Sequence, residues 1–229
     1  MRSAGPHGAV AGLRRDRSVS NVRRMTTGVS TKGERTRERI VQAAAPLFNR
    51  RGYTGVSMTD LMAATGLEKG GLYRHFASKD DIALAAFEHN VAQHRARIQA
   101  RVEDAAGAVA RLAALVDALA DVARDPVVPG GCPLLNTAVE ADDGDAPLHA
   151  ELRARARRGM RRLIRYAQAL FEDGVAAGEL AADVDCAAEA EALVASMEGA
   201  VVLSRLYGDA RFARAAARRA AAHVARLAR

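Results

Sequence analysis

Helical periodicity is the feature of this sequence that most constrains its fold. From Thr31 onward, apolar residues recur three and four positions apart, and clusters of Gly, Pro and Asp separate the runs. No run has the alternation of a strand, and no internal repeat is found. The sequence therefore predicts an all-α protein. The predicted helices cover roughly residues 31–51, 58–64, 69–75, 78–104, 106–124, 133–141, 147–177, 185–207 and 210–228.

Short local patterns mark where several of these helices begin and end. The stretches "SMTD" (57–60) and "SKDD" (78–81) each place a serine three residues before an aspartate, which is the pattern of an N-terminal capping box. Gly52 and Gly66 follow the first two helices, where glycine commonly ends a helix. Pro46 is predicted to bend the first helix, because it removes one backbone hydrogen bond.

The positive charge of the chain is concentrated at its N-terminal end. Residues 1–80 contain 15 Lys and Arg against 6 Asp and Glu, net +9, whereas the remaining residues contain 19 against 21, net −2. A potential concentrated on one part of a molecule favours a polyanionic partner, so nucleic acid is the predicted partner class. For any single basic run, a solvated helix face is the alternative.

Length and composition argue against several other classes. A chain of 229 residues can bury a sizeable core without disulfides or a structural metal. Its two cysteines form at most one bridge, and no signal-peptide region precedes them. No uncharged apolar run approaches the roughly 18 to 20 residues of a membrane span. We expect a soluble, cytoplasmic protein with reduced thiols and no membrane association.

The first 30 residues differ in composition from the rest. Residues 1–30 mix Gly, Ser and Arg with few periodic apolar residues, so they are predicted to form a disordered tail. Their composition also fits an organelle transit peptide or an arm that grips phosphate, and a translation start at Met25 is a further alternative. We assign no function to this segment.

One pair of short helices has the pattern of a helix-turn-helix. A helix near 58–64, a tight turn at 65–67 and a helix near 69–75 follow one another directly. In such a motif the second helix is presented to the DNA major groove. Leu72 and Phe76 lie four residues apart and are predicted to form the core side of this helix.

The other face of the second helix is polar and lacks bulk near the backbone. Lys69, Gly70, Tyr73 and Arg74 are predicted to project outward. Gly70 and Gly71 have no side chains to hold the backbone away from a phosphate or a base edge. The glycine pair therefore suggests clearance for a partner, and a simple turn is the alternative.

The stretch "SMTDLMAATGLEKGGLYRHFASKDDI" (57–82) closely resembles the helix-turn-helix of the TetR (tetracycline-repressor) family of bacterial transcription regulators. The resemblance is specific over about residues 34–88, where "RERIVQAAAPLFNRRGY" (37–53) corresponds to the first helix. Farther along it rests on the helical layout and on the stretches "GGCPLLNTAVEADD" (130–143) and "ASMEGAVVLSRLYGD" (195–209).

The resemblance implies both an architecture and a function. A disordered tail (1–30) would precede a three-helix helix-turn-helix DNA-binding domain (31–79) and a C-terminal helical ligand-binding and dimerisation domain (80–229). The family implies a homodimer on a double-stranded DNA operator of inverted symmetry. A repressor of this kind leaves its operator when a small molecule, here unknown, binds the C-terminal domain.

The resemblance also implies DNA contacts by position. The implied phosphate contacts are Ser57 or Thr59, Tyr73, His75 and Lys79. The implied base or groove contacts are Lys69, Gly70 and Arg74, with phosphate as the alternative for the arginine. Phosphate contacts position a protein on DNA and base contacts specify the sequence, so the two sets are expected to control different properties.

The last two predicted helices suit a dimer interface. One stripe, beside Gly199, consists of Leu193, Met197, Ala200 and Ser204, and the last helix carries Phe212, Ala216, Ala220, Val224 and Leu227. Paired across a twofold axis, they would form a four-helix interface that holds two recognition helices about 34 Å, or a multiple of it, apart. The alternative is packing within one chain.

The middle helices are predicted to enclose the ligand site. The candidate lining residues, mostly apolar or aromatic and at helical spacing, are Phe87, Val91, His94, Leu115, Leu119, Cys132, Leu135, Val139, Tyr166 and Phe171. An ordinary place in the core is the alternative for each. His89 and His94 are five residues apart, the wrong spacing for a shared helix face, so we expect no metal site and no cofactor.

Cys132 motivates two further hypotheses. It precedes Pro133, the predicted first residue of a helix, and the positive end of a helix lowers a thiol pKa. In an open loop beside Gly130 it would sense electrophiles or oxidants, whereas Cys186 next to Asp185 would ionise less readily. Alternatively, Cys132 is the nucleophile of a helical enzyme. We expect no enzyme, because no histidine lies near it in sequence.

A non-specific DNA-binding protein is the remaining alternative. Such a protein would carry basic charge along its whole length, and the net −2 after residue 80 disfavours it. Preference for one operator over bulk DNA would distinguish the two classes.

Overall fold

The part of the chain that the structure describes, residues 31–141 and 146–228, is built almost entirely from α-helices. The structure is a computed structural model. In chain order the helices are α1 (Lys32–Arg51), α2 (Met58–Thr65), α3 (Lys69–Tyr73), α4 (Lys79–Glu103), α5 (Ala108–Arg124), α6 (Pro133–Glu140), α7 (Pro147–Ala176), α8 (Cys186–Tyr207) and α9 (Arg211–Leu227). None of these helices is both long and apolar enough to cross a membrane. The all-α prediction is confirmed, and the predicted tail, 1–30, lies outside the described residues.

Local side-chain chemistry sets the helix starts as predicted. At α2, Ser57 Oγ accepts a hydrogen bond from Asp60 N at 3.1 Å, and the Asp60 carboxylate accepts one from Ser57 N at 2.8 Å. At α4, Ser78 Oγ accepts from Asp81 N at 3.1 Å. The Asp81 carboxylate, however, accepts from the Ser78 hydroxyl instead of its backbone, so only half of this second capping box forms.

The recognition helix is shorter than predicted. It ends at Tyr73, and the predicted last turn is a looser one in which His75 N and Phe76 N both donate to Leu72 O, at 3.0 and 3.1 Å. The chain must leave helical geometry here because Ser78 caps α4 from an extended conformation (φ −147°, ψ 168°).

Two clusters of buried side chains hold the helices together. The first joins α1, α2, α3 and the first half of α4 to α6 and the start of α7, with Phe48, Leu61, Leu72 and Phe87 among its members. The second joins the end of α4 to α5, α7, α8 and α9. Because α4 contributes to both, it links the helix-turn-helix to the rest of the chain.

The predicted dimer stripe on α8 is wrong. Leu193, Met197, Ala200 and Ser204 are all buried within one chain, against α7 and α9, so the alternative of internal packing applies. On α9, the predicted residues are likewise buried or partly buried: Phe212, Ala216, Ala220, Val224 and Leu227. The periodicity marked the inward face of each helix, because apolar residues at helical spacing do not distinguish a core from an interface. The exposed large apolar residues of α8 are Val202, Leu203, Leu206 and Tyr207.

Candidate DNA-binding surface and ligand cavity

The turn between α2 and α3 has the tight geometry that the sequence predicted. Gly66 ends α2 in the left-handed conformation (φ 68°, ψ 18°), and its N–H donates to Met62 O at 2.9 Å. The Thr65 hydroxyl donates to Leu61 O at 2.7 Å and accepts from Leu67 N at 3.3 Å. These bonds fix the angle at which α3 leaves α2.

The two faces of α3 divide as predicted. Leu72 and Phe76 are buried in the first core, whereas Lys69, Gly70, Tyr73 and Arg74 are exposed, Tyr73 with 41% of its surface accessible. The Lys69 ammonium lies 6.0 Å from the centroid of the Tyr73 ring. Residues 31–79 contain 9 Lys and Arg against 4 Asp and Glu, so the exposed face belongs to a net positive segment.

Gly70 has no intramolecular reason to be glycine. A Cβ at this position would meet no atom within 4 Å, and its φ lies outside the left-handed region. A Cβ at Gly71 would touch only the Leu67 side chain, with Leu67 Cβ at 3.5 Å. Alanine is the better helix former, so the open space in front of Gly70 favours clearance for a partner over a structural need.

Hydrogen bonds at the start of α2 decide which of its hydroxyl groups is free to donate to a phosphate. Arg51 reaches the Asp60 carboxylate with two nitrogens, at 2.8 and 3.2 Å, and this pairing, followed by the bonds from Ser57, lowers the Asp60 pKa. The Ser57 hydroxyl donates to the same carboxylate at 2.6 Å. Thr59 is exposed, and its hydroxyl has no hydrogen-bond partner within the described residues. Of the two candidates for a phosphate contact, Thr59 therefore has the available donor.

The other predicted phosphate contacts flank the exit of α3. His75 and Lys79 are half-buried, and Lys79 is the first residue of α4. Phe76 lies under the Arg37 guanidinium, whose carbon is 4.3 Å from the ring centroid. This cation–π contact attaches the end of the recognition motif to α1.

A cavity of about 140 Å³ lies between α4, α6 and α7. Its apolar wall is formed by Val91, Ile98, Leu134 and Leu163, and its polar lining residues are His94, Arg95, Gln99, Arg162 and Tyr166, with Gly159 between them. A Cβ at Gly159 would collide with the Leu134 side chain, so glycine lets α7 approach α6 here.

The structure brings three of the ten predicted ligand residues into this cavity: Val91, His94 and Tyr166. Leu115, Leu119 and Phe171 are buried in the second core, and Phe87 in the first. Leu135 and Val139 line a separate surface groove between α1, α6 and α8, with Val139 69% exposed. Sequence reasoning missed the other seven lining residues: Arg95, Ile98, Gln99, Leu134, Gly159, Arg162 and Leu163. An isolated glycine inside a helical run usually marks a packing requirement, and Gly159 was the signal available.

His94 is the buried polar group of the cavity. It is 7% exposed, and its Nε2 has no hydrogen-bond partner within the described residues. Burial lowers its pKa to about 4, because the imidazolium would lose its hydration. His94 is therefore neutral at physiological pH and presents a buried polar ring beside the apolar wall.

Cys132 is not the activated thiol that the sequence suggested. Its side chain is completely buried, and Sγ donates to Glu198 Oε1 at 3.2 Å. Burial, followed by the charge of Glu198, raises the thiol pKa well above its ordinary value, and the N–H groups of Leu135 and Leu134 lower it by less. The start of α6 therefore does lower the thiol pKa, but burial and the charge of Glu198 raise it by more. This environment contradicts a reactive sensor and a nucleophile, and Cys132 does not line the cavity.

A polar joint connects the end of α1 to α6 and to the loop before it. The Glu140 carboxylate accepts hydrogen bonds from Tyr53 N at 2.6 Å and Thr54 N at 3.0 Å. Asn49 Nδ2 donates to Gly131 O at 3.0 Å, and Asn136 Nδ2 donates to Asn49 O at 3.1 Å. We call these residues, together with Gly130, the α1–α6 joint. These bonds connect α6 to α1, the helix that precedes the helix-turn-helix.

An exposed basic recognition helix, joined to a helical body with an internal cavity, defines a DNA-binding regulator with a ligand-binding domain. The chain is 40% identical to a TetR transcriptional regulator from Chloroflexus aurantiacus J-10-FL, over 86% of this chain and 98% of that one, with a TM-score of 0.81. The family model "Bacterial regulatory proteins, tetR family" matches residues 40–86, and "Tetracyclin repressor-like, C-terminal domain" matches residues 108–221. The chain belongs to the TetR family of transcriptional regulators.

Two further relatives agree with this assignment. A TetR-family regulator from Cytophaga hutchinsonii is 30% identical, covers 87% of this chain and 98% of its own length, and has a TM-score of 0.80. The HTH-type transcriptional repressor DhaR of Mycobacterium sp. (strain GP1) is 25% identical over 175 residues, which is 74% of this chain and 82% of that protein. TetR-family regulators bind DNA operators as homodimers and respond to small-molecule effectors, so the predicted class of function is confirmed.

Proposed function

We propose that this protein is a cytoplasmic repressor that holds an inverted-repeat operator and leaves it when a small molecule enters the cavity between α4, α6 and α7. The observation that carries the proposal is the outer face of α3, where exposed basic and aromatic side chains surround a glycine that has no structural need to be glycine. The DNA-binding domain would comprise residues 31–79, and the ligand-binding and dimerisation domain the helices after it.

The proposed DNA contacts follow from exposure and available donors. Thr59, Tyr73, His75 and Lys79 would contact phosphates, with Ser57 acting mainly as the cap of α2. Lys69 and Arg74 would reach base edges in the major groove, and Gly70 would let the α3 backbone approach the DNA.

The proposed dimer interface uses the outward face of α8 instead of the predicted stripe. Val202, Leu203 and Leu206 are exposed, Leu206 with 74% of its surface accessible, and Gly199 has open space in front of it. A second copy of this face, related by a twofold axis, would bury these residues. It would also set the spacing of the two recognition helices.

The proposed release mechanism depends on the α1–α6 joint. A ligand in the cavity contacts Leu134 on α6 and His94 on α4, and both helices pack against α1. Such a ligand lowers operator affinity only if it binds the DNA-free spacing of the recognition helices better than the DNA-bound spacing.

Selection of bound duplexes from a random pool tests the proposal directly. An inverted-repeat sequence should be enriched, because a symmetric dimer presents two recognition helices one groove repeat or a multiple apart. Enrichment of a single half-site, or of no sequence, would reject the proposed operator.

Substitutions should separate affinity from specificity. Lys79→Ala and Tyr73→Phe are expected to weaken binding to all duplexes alike, and Lys79→Ala should reduce the slope of log affinity against log salt by up to about one charge.

Lys69→Ala and Arg74→Ala are expected to relax preference at particular bases, at about 1 to 3 kcal/mol for each good contact. Equal losses on operator and random DNA for the last two would remove their role in specificity. Titrations of fluorescent duplexes at several salt concentrations measure both effects.

Gly70→Ala should separate stability from DNA binding. The new methyl group meets no atom of the protein, and alanine favours the helix by about 0.5–1 kcal/mol, so the free protein should be as stable or slightly more stable. Operator affinity should nevertheless fall about 5- to 150-fold, the range for about 1–3 kcal/mol of overpacking in a close contact. Gly71→Ala, whose Cβ faces Leu67, is the matched control. Unchanged operator affinity in Gly70→Ala would show that the backbone does not approach DNA there.

A further inference from the structure

The rim of the cavity between α4, α6 and α7 is positively charged. Arg95 on α4 and Arg162 on α7 line it, both are exposed, and neither has a hydrogen bond or ion pair within the described residues. Arg155 of the same helix differs, since its side chain is paired with Glu88 and Glu151 at 2.8 and 2.7 Å. The two arginines at the rim are therefore available to a ligand.

No carboxylate is among the residues that line this cavity. Burial, followed by the charge of Glu103, raises the pKa of Tyr166, and Arg111 acts in the opposite direction. An anion entering between Arg95 and Arg162 would meet no acidic group on the cavity wall. A cation would meet two guanidinium groups and a buried neutral imidazole.

The interior sets the size and polarity of the rest of the ligand. A cavity of about 150 Å³ with an aliphatic lining accommodates benzene, and the volume here is about 140 Å³. Four apolar side chains form the wall, and His94 contributes one buried polar atom that lacks a partner. Buried polar groups are normally hydrogen-bonded, so an unpartnered one beside a cavity is a point for contact with a ligand or water.

We propose that the effector is a small organic acid, with an apolar body of about the size of a benzene ring in the cavity and its carboxylate between Arg95 and Arg162. The buried imidazole of His94 donates a hydrogen bond to the same molecule or accepts one from it. This inference rests on the proposed role of the cavity as the effector site, and it adds the chemical class of the ligand.

Matched acids and amides test the inference. Benzoate and hexanoate would be compared with benzamide and hexanamide, which have similar shapes and no charge, by calorimetric titration of the full-length dimer. At least one acid should bind, and its amide should bind about tenfold more weakly or worse, the effect of losing one hydrogen bond to a charged group. Equal binding of acid and amide, or binding by neither acid, would overturn the inference.

Arginine variants locate the binding. Arg95→Ala combined with Arg162→Ala should reduce acid affinity to that of the amide, whereas Arg161→Ala, an exposed arginine of the same helix outside the cavity, should bind as the wild type does. Both sites are on the surface, so these variants should fold. Undiminished acid affinity in the double variant would place the acid elsewhere and overturn the inference.

Operator affinity, measured with and without the acid, separates this inference from the proposed function. Acid binding that depends on the two rim arginines supports the ligand class even if operator affinity does not change, in which case the proposed release mechanism fails. If a neutral compound binds the cavity as tightly as its acid analogue and releases the operator, the proposed release mechanism is supported. The inference that the effector is an acid is then overturned.

Discussion

Glu140→Ala is expected to lower the free energy of unfolding by about 2–4 kcal/mol, because the backbone N–H groups of Tyr53 and Thr54 lose a charged acceptor. The estimate is below the sum of two charge-assisted bonds, since the bond from Thr54 is exposed. For a chain of this size the loss corresponds to a decrease in Tm of about 5–15 °C. Thermal unfolding at one fixed protein concentration measures it, because a dimer has a concentration-dependent Tm.

Glu151→Ala is the matched control for Glu140→Ala. Glu151 is a surface glutamate that bonds Arg155 at 2.7 Å within one helix, and such pairs contribute about 0.3–0.5 kcal/mol. A loss for Glu140→Ala no greater than that of the control would show that the α1–α6 joint does not stabilise the fold. The joint would then be unsuited to transmit a movement of α6.

Gly130→Ala is expected to lower the free energy of unfolding by about as much as Glu140→Ala does, but for a steric reason. Gly130 has φ 108°, and a Cβ there would lie 2.7 Å from Asn49 O, at the end of α1. Backbone strain of about 1–3 kcal/mol would add to the displacement of Asn49 and of the bond from Asn136 Nδ2 to Gly130 O. We expect a total loss of about 2–4 kcal/mol in unfolding free energy, measured by denaturant titration.

Gly178→Ala distinguishes the clash from the backbone strain. Gly178 has φ 71°, and a Cβ there would meet nothing within 4 Å, so only the strain of about 1–2 kcal/mol applies. If the two variants lose equal stability, the contact between Gly130 and Asn49 contributes nothing and the loop is free to move away from α1.

The environment of Cys132 shows how sequence reasoning failed. The position before Pro133 was correctly predicted to start a helix, and the N–H groups of Leu134 and Leu135 do lower the thiol pKa. What the sequence did not show was Glu198, 66 residues away, or the complete burial of the side chain. Long-range packing decided the reactivity of the thiol, and it opposed the local effect.

Most of the predicted cavity residues and the predicted dimer stripe were misplaced for a related reason. Apolar residues at helical spacing identify the buried side of a helix, but a core, a cavity wall and an interface give the same pattern. Leu115 and Phe171 therefore became core residues, while the charged rim residues Arg95 and Arg162, which the pattern excludes, lie at the cavity.

The sequence by itself determined the elements of this protein and the motif at its N-terminal end. Helix periods, the serine caps at Ser57 and Ser78, the left-handed Gly66 and the inward Leu72 depend on residues within a few positions of one another, so local chemistry fixes them. Only the tertiary structure decided the α1–α6 joint, where Asn49 and Glu140 find partners more than 80 residues away. Such partners are chosen by how helices pack, and a single sequence carries no direct record of that.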